Sequence, residues 1–232
     1  MSTLVSGIPA SAFPGSFSSA FRPSLAFRER HWKSFVIHHF VFASMTPSET
    51  MEEIKEICDL SAKNQTEIVF LNTEEIFSFP EYPSPIEPDA VKAFHAENLF
   101  LNSVKDRALF TSIRIGCTFE SILSYLTSFR SADSLPAPSN VYIQPVSLSD
   151  IFHNLQKNSI PPGIYNAVSS DSATKIEIYT AFFEESSLKP RNFTRFESDY
   201  PKLPLIPNTF PAPAPSWRRG LQAFLANSNL LS

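Results

Sequence analysis

Apolar and polar positions repeat with regular periods over residues 33–188, and these periods predict a mixed sheet with helices packed on it. Five segments show the alternation or the short apolar run of a strand: residues 35–42, 66–71, 109–115, 141–146 and 175–183. The first is apolar apart from His38 and His39, which predicts a strand buried on both faces. The third alternates regularly, so we expect it to be half-buried. Pro145 interrupts the fourth and predicts an edge strand.

Helix signals fall between and after these strands. Thr46-Pro47-Ser48-Glu49 is a capping box with proline at the first helical position, and it predicts a helix that ends near Lys63. Further helices are predicted at residues 88–102, after Thr118, after Ser147 and at residues 217–227. Strands and helices that alternate in this way predict an α+β fold with one mixed sheet of about five strands.

The two ends differ from this middle in composition. Residues 1–28 contain no Asp or Glu and are rich in Ser and Pro, which predicts a disordered segment over residues 1–32 or an organelle transit segment. Residues 189–232 begin with closely spaced prolines, which predict an extended strap, and end in a short amphipathic helix. One face of that helix carries Trp217, Leu221, Phe224 and Leu225. Such a face either docks on its own domain or binds a groove on a partner.

Charge and glycine content narrow the classes of function. The net charge is −4 and the pI is about 5.7, which argues against a bulk attraction to nucleic acid. The longest apolar runs are too short to span a bilayer. The chain has 22 Phe and 20 Pro but only 5 Gly, although phosphate loops and nucleophile elbows need glycine. It contains no dinucleotide fingerprint. We therefore expect no cofactor, and no nucleotide-dependent or hydrolase chemistry.

The candidate chemical groups are few and separated. His38 and His39 are adjacent on a predicted strand, so their side chains should point to opposite faces and cannot share a metal ion. One of them could face a pocket as a general base, or be satisfied by a backbone carbonyl. Cys58 and Cys117 have no metal-ligand or disulfide spacing and are expected to be reduced. We expect no metal site and no catalytic residues.

One family resemblance concerns the same histidines. Residues 36–42, followed by a capped helix, resemble the opening of the dimeric α+β barrel family of stress-response proteins. Residues 110–126, with Thr118-Phe119-Glu120-Ser121, are similar to the third strand and second helix of that family. The resemblance implies that a first-strand histidine, His38 or His39, faces a ligand cavity. Ser112 stands where that family has a histidine, and the similar segments cover a small part of the chain, which is therefore not assigned to the family.

The absence of assembled chemistry and the biased composition predict a non-enzymatic protein-interaction or accessory protein in the cytoplasm. It would bind another protein through the α+β domain and the strap, and a virus-encoded antagonist of host defence is one form of this prediction. The first alternative is a small-molecule-binding or lyase-type α+β barrel, as a homodimer with His38 or His39 in its pocket. The second is a protein imported into a plastid or mitochondrion through residues 1–28.

Overall fold

The computed structural model describes residues 3–7, 17–19, 22–28, 31–77, 85, 87–128, 134–157, 160–189, 191–199 and 206–230. The chain divides into two compact units that alternate along the sequence. Unit 1 comprises Met1–Ile76, Pro85–Arg114 and Phe152–Tyr165, and unit 2 comprises Phe77–Ser84, Ile115–Ile151 and Asn166–Ser232. These boundaries differ from the predicted N-terminal segment, central domain and strap. Within the described ranges, no helix is long and apolar enough to cross a membrane.

Strands and helices alternate along the described chain. The strands are β1 (Thr3–Ser6), β2 (Phe17–Ser19), β3 (Ser34–His38), β4 (Glu67–Thr73), β5 (Phe110–Ile115), β6 (Ser134–Pro138), β7 (Tyr142–Ile143), β8 (Gly163–Ala167), β9 (Ala173–Thr174) and β10 (Asn192–Phe196). The α-helices are α1 (Pro23–Arg28), α2 (Pro47–Asn64), α3 (Pro88–Ser103), α4 (Phe119–Ser128), α5 (Leu148–Lys157), α6 (Lys175–Glu185) and α7 (Trp217–Asn227).

The largest sheet is mostly parallel and is wound in two directions. Its six strands lie in the order β2-β1-β3-β4-β5-β8. β1 pairs in parallel with β2 on one side and with β3 on the other, and β3 pairs in parallel with β4. The chain therefore builds the sheet to one side of β1 and then to the other, which is the arrangement of doubly wound α/β folds. The predicted mixture of strands and helices is confirmed, but the class is α/β rather than α+β.

The beginning of the chain differs from the predicted disordered segment. β1 is an inner strand, and its residues Leu4 and Val5 are buried. Two flanking strands satisfy its backbone, and its apolar side chains enter the core, so tertiary packing outweighs the local preference of a Ser- and Pro-rich segment. The other parts of the predicted segment, at residues 1–2, 8–16, 20–21 and 29–30, lie outside the described residues.

The helix starts agree well with the sequence. Thr46 Oγ1 accepts a hydrogen bond from the Glu49 amide at 3.3 Å, and the Glu49 carboxylate accepts one from the Thr46 amide at 2.8 Å. This reciprocal cap starts α2 as predicted. α3, α4, α5 and α7 also start at the predicted positions, and Ser216 caps α7 through the Arg219 amide.

Three strand predictions need correction. Residues 175–183 form most of α6, because Thr174 and Glu177 make a second capping box and Ile178 and Phe182 share its buried face. Strand β5 is an inner strand and is buried along most of its length rather than half-buried, as in α/β sheets that are covered on both faces. Within residues 141–146, only Tyr142–Ile143 form a strand.

Aromatic rings fill the core of unit 1. Phe100 lies at the centre of this cluster, with ring centroids 5.9 Å from Phe42, 5.1 Å from Phe70 and 5.6 Å from Phe110. Rings at these distances bury large areas and make favourable edge or stacked contacts. The high phenylalanine content therefore has a structural use in this core.

One ion pair lies inside the same unit. Glu97 of α3 is fully buried, and its carboxylate accepts a hydrogen bond from Ser112 Oγ at 2.5 Å. The Arg114 guanidinium donates to both carboxylate oxygens, at 2.8 Å for the shortest contact. Three donors from β5 thus satisfy a charge that could not stay buried alone.

We predict that Glu97→Ala lowers the free energy of unfolding by about 3–5 kcal/mol, because it removes the buried carboxylate that pairs with Arg114 and accepts the hydrogen bond of Ser112. Asp59→Ala is the matched control, since it removes an ion pair at the surface. The side chains of Asp59 and its partner Lys105 are 50% and 70% exposed. The control substitution should lower the free energy of unfolding by less than about 1 kcal/mol. Urea unfolding of both variants makes the comparison, and equal losses would contradict the role of the buried pair.

The C-terminal helix completes the core of unit 2. Leu221, Phe224 and Leu225 are buried there, with the Phe224 ring 5.7 Å from Phe119 and 6.2 Å from Phe182. Trp217 packs at the margin of this core and is partly buried. The face predicted to bind a partner is thus occupied by the chain itself, which corrects the assignment of these side chains to an interface.

Side chains of unit 2 hold the strap that leads to this helix. The buried Gln144 side chain donates hydrogen bonds to the carbonyls of Ser169 and Ile206 and accepts one from the Ile206 amide. Asp171 accepts a hydrogen bond from the Trp217 amide at 2.7 Å, at the start of α7. The strap is fixed by polar contacts to its own unit at these points. Its residues 190 and 200–205 lie outside the described residues.

Candidate functional site

The sheet order of unit 1 indicates where a ligand would bind. In doubly wound folds, ligands occupy the crevice beyond the carboxyl ends of the strands, where the strand order reverses. Here the order reverses at β1, between its neighbours β2 and β3. The carboxyl ends of β1 and β3 are Ser6 and His38, so the candidate site lies at Gly7, His38 and the residues that follow them.

Gly7 forms a tight turn directly after β1. Its φ is +77°, a backbone conformation that favours glycine. A Cβ atom at this position would lie 2.7 Å from Val41 Cγ2 and 3.2 Å from His38 Cβ. The turn therefore packs closely against the segment that follows β3, and a larger residue would not fit.

The two histidines do not point to opposite faces. Strand β3 ends at His38, and residues 39–42 turn into a 3-10 helix, so the alternation of a strand stops between the two side chains. Their ring centroids are 4.5 Å apart, and the Phe40 ring lies 4.7 Å from His38 and 4.3 Å from His39. Phe40 is 61% exposed. The prediction of two separated histidines is wrong, and the three rings form one aromatic cluster.

Both histidines are neutral at physiological pH. Burial, followed by repulsion from His39, lowers the pKa of His38 to about 3. Burial also lowers the pKa of His39 to about 4, and it outweighs the opposite effects of Glu75, Asp89 and a hydrogen bond with the Leu71 backbone. Uncharged imidazoles can donate and accept hydrogen bonds but provide no positive charge for an anion.

The carboxyl end of β4 adds polar groups to the same edge. β3 and β4 pair in register, with His38 opposite Leu71, so the residues after Leu71 lie beside the histidines. Asn72 is buried, and its Oδ1 accepts a hydrogen bond from the Thr73 amide at 2.9 Å. Thr73 Oγ1 accepts one from the Glu75 amide at 3.1 Å. The edge thus combines imidazole, amide, hydroxyl and carboxylate groups.

Sequence reasoning identified the histidines but missed Asn72, Thr73 and Glu75. A signal for them was present, because polar residues follow directly after an apolar strand in both segments. It could be used only with the knowledge that β3 and β4 are parallel neighbours, and strand pairing is not a local property of the sequence.

The described residues of unit 1 and of unit 2 give no support to metal or thiol chemistry. In the described ranges, no three His, Cys, Asp or Glu side chains converge to hold a metal ion. Cys58 and Cys117 are both free thiols. Burial, the largest cause, raises the pKa of Cys58 to about 12, so this thiol stays protonated and unreactive.

Comparison with solved structures gives close matches of fold at low sequence identity. The reductase of dTDP-4-dehydrorhamnose from Bacillus anthracis, in complex with NADP, has a TM-score of 0.73 and 12% identity, over 98% of this chain and 99% of that chain. The dTDP-glucose 4,6-dehydratase of the same organism, in complex with NAD, has a TM-score of 0.71 and 11% identity, over 99% and 96%. The UDP-glucose 4-epimerase of Thermus thermophilus, in complex with NAD, has a TM-score of 0.62 and 14% identity, over 96% and 97%.

The sequence itself matches no family model, and no curated protein gives a significant match. At 11–14% identity the structural likeness establishes the fold, which is the Rossmann-like fold of these reductases, dehydratases and epimerases.

These findings correct the predicted function. The non-enzymatic interaction or accessory protein, including the viral antagonist, is contradicted because nearly the whole chain has the fold of nucleotide-sugar enzymes. The dimeric α+β barrel is wrong because β1, β3 and β4 pair in parallel within a doubly wound sheet. Scarcity of glycine does not exclude this fold, since the tight turn after β1 needs only Gly7.

The histidine cluster predicts that stability depends on pH. Because both imidazoles have lowered pKa values in the folded state, the unfolded chain binds more protons below about pH 6.5. As the pH is lowered from about 6.5 to about 5, the free energy of unfolding should therefore decrease by about 1.4 kcal/mol per pH unit for each histidine. It should show no such dependence above about pH 7.

Urea unfolding at about pH 7.5, where no dependence is expected, and at about pH 5.5, where it is, measures this effect. The double variant His38→Asn, His39→Asn should lose most of the dependence. His153→Gln replaces an exposed histidine of α5 and should keep the dependence of the unmodified protein. Identical pH dependence in all three proteins would contradict the assignment of buried neutral imidazoles.

Proposed function

We propose that this protein is an enzyme that binds a nucleotide-activated sugar and transfers protons on its sugar ring. The observation that supports this most directly is that His38 ends β3 beside the reversal of strand order, where this class of fold binds ligands. Asn72 and Thr73 end the neighbouring strand β4, which pairs with β3. The compared enzymes act on dTDP- and UDP-linked sugars, as their names state. The fold and the position of the cluster thus favour the same class of ligand.

The aromatic cluster is suited to hold a ring of such a ligand. Phe40 has its ring against His38 and His39 on one side and is 61% exposed. An exposed ring supported in this way provides a flat apolar surface, on which a nucleobase or the apolar face of a sugar can stack. We assign the exposed face of Phe40 to this contact.

The groups next to it are those that transfer protons. Glu75 acts electrostatically on His39, and Thr73 places a hydroxyl beside the Glu75 backbone. A carboxylate, a neutral imidazole and a hydroxyl at one edge are typical of general acid–base chemistry. We assign proton transfer to Glu75, because a carboxylate can remove a proton from a carbon next to a carbonyl group.

The dinucleotide that accompanies the compared enzymes does not fit the residues found here. A dinucleotide cradle needs a tight turn, a second glycine that lets the backbone approach the pyrophosphate, and a following helix. Gly7 supplies the turn, but Pro9 stands at the second position and removes an amide donor. Val41 already packs against the turn.

Of the segment 7–16 that joins β1 to β2, the structure describes Gly7 alone, and Val41 occupies the space beside it. We therefore assign no residue to a dinucleotide and no step of the reaction to one.

Ligand binding is the first test. Isothermal titration with dTDP-glucose and with UDP-glucose should give saturable binding of at least one, whereas NADP and NAD should give none in the same concentration range. Phe40→Ala should weaken the sugar nucleotide about three- to tenfold, through loss of the stacked ring. Phe196→Ala is the control, because Phe196 is also exposed but belongs to β10 of unit 2. Absence of saturable binding by both sugar nucleotides would refute the proposal.

Proton exchange is the second test, and it addresses catalysis. The carbonyl of dTDP-4-dehydrorhamnose acidifies the adjacent C–H bonds, so incubation in deuterium oxide should place deuterium at those carbons, as followed by NMR. Glu75→Gln should slow this exchange about 100-fold or more by removing the base. Glu184→Gln, at an exposed carboxylate of α6, should leave the rate unchanged. Equal rates for both variants would exclude Glu75 as the base.

A further inference from the structure

A lysine provides positive charge beside the turn that carries Phe40. Lys92 belongs to the second turn of α3 and is exposed. α3 packs against residues 39–42 and 74–76, which directly follow β3 and β4. The first turns of α3 therefore lie at the carboxyl edge of the sheet, where the proposed function places the ligand.

The ammonium group of Lys92 is attached to the same turn by hydrogen bonds. Lys92 Nζ donates to the Ala43 carbonyl at 2.8 Å. The Ala43 amide donates in turn to the Phe40 carbonyl at 3.2 Å. Two consecutive hydrogen bonds thus connect the ammonium group to the backbone of the residue whose ring is 61% exposed. Both residues are accessible from solvent.

The charge of Lys92 is not paired with a carboxylate in the described part of the chain. Three other cations of unit 1, Arg28, Lys105 and Arg114, each form an ion pair with one. Lys92 instead donates to a neutral carbonyl, which leaves its charge and two of its three N–H donors for another partner. Such a group is suited to an anion.

The proposed ligand carries the complementary charge. The diphosphate of a nucleotide sugar is joined to the sugar on one side and to the nucleoside on the other, so it lies next to either ring that stacks on Phe40. The two neutral histidines cannot balance its charge, and the carboxylates of Glu75 and Asp89, which act on His39, would repel it. A cation beside Phe40 is needed to hold a diphosphate at this edge, and Lys92 has that position.

We propose that Lys92 binds the diphosphate of the nucleotide sugar while Phe40 holds one of its rings. The ammonium group keeps its hydrogen bond to Ala43 and donates its other N–H groups to phosphate oxygens. This subsite rests on the proposed function and adds the residue that recognises the charged part of the ligand. Binding should therefore weaken as the salt concentration rises, because an exposed ion pair is screened.

Titration with UDP-glucose and with dTDP-glucose measures the contribution of this charge. Lys92→Met removes the charge and the donors, and it should weaken binding about tenfold or more through the loss of a charge-assisted hydrogen bond. Lys92→Arg should bind within about threefold of the unmodified protein, because a guanidinium group also binds phosphate. Lys63→Met is the matched control at an exposed lysine in the last turn of α2, and it should leave binding unchanged.

The dependence on salt separates phosphate binding from a purely structural role of the lysine. Between about 0.02 M and about 0.2 M NaCl, the affinity of the unmodified protein should fall about threefold or more, and Lys92→Arg should behave alike. Lys92→Met should show a clearly smaller decrease. If Lys92 only fixed the turn that carries Phe40, Lys92→Met would bind weakly but keep the full salt dependence, and this result would overturn the inference. Lys92→Gln replaces Lys92→Met if the latter does not fold, as judged by circular dichroism.

The possible failures can be told apart. If neither sugar nucleotide binds, the proposed function is wrong and the subsite is wrong with it. If a sugar nucleotide binds the unmodified protein and Lys92→Met equally well, the subsite alone is wrong. NADP and NAD are titrated in parallel, because they also contain a diphosphate. Binding of either one that is lost in Lys92→Met would overturn the assignment, since the diphosphate held there would belong to a dinucleotide.

Discussion

The parallel pairing of β1 with β3 is the interaction on which the rest of this structure depends. It places an apolar strand from the start of the chain in the middle of the sheet, with β2 on its other side. The reversal of strand order follows from that position, and so does the crevice at the carboxyl edge. The close packing of Gly7 against His38 and Val41 is a further consequence, since it joins the turn after β1 to the segment after β3. A change that expels β1 would remove the fold and the candidate site together.

Features that are encoded locally could be predicted from the sequence. The capping box at Thr46 and Glu49 fixed the start of α2, and Ser216 fixed that of α7, because each cap involves residues only three apart. The same kind of signal stands at Thr174 and Glu177, but the apolar alternation of residues 175–183 predicts a strand where the structure has α6. In a short segment the two periods overlap, and the cap decides between them.

The candidate site could not be predicted in the same way, because it depends on contacts that are distant in sequence. His39 and Asn72 follow the paired residues His38 and Leu71, and they come to the same edge only through the register of β3 with β4. The orientation of His39 also depends on where β3 ends, and a one-residue difference in that end reverses the predicted face of the side chain. The burial of β1 likewise reflects tertiary packing, which composition alone does not report. Function was predicted wrongly because the fold that positions these groups was not predicted.

The interleaving of the two units has a consequence for how the chain acquires its structure during synthesis. All segments of unit 1 have been translated once Tyr165 is added, whereas the core of unit 2 needs Leu221, Phe224 and Leu225 of the last helix. Folding units generally form from the amino terminus onwards as the chain emerges from the ribosome. Unit 1 can therefore assemble before unit 2. Residues 115–151 are by then already synthesised, but the helix that covers their apolar side chains is not. In that interval Phe119 and its neighbours are exposed, and a nascent chain that stalls before residue 221 offers an aggregation-prone surface to the cell.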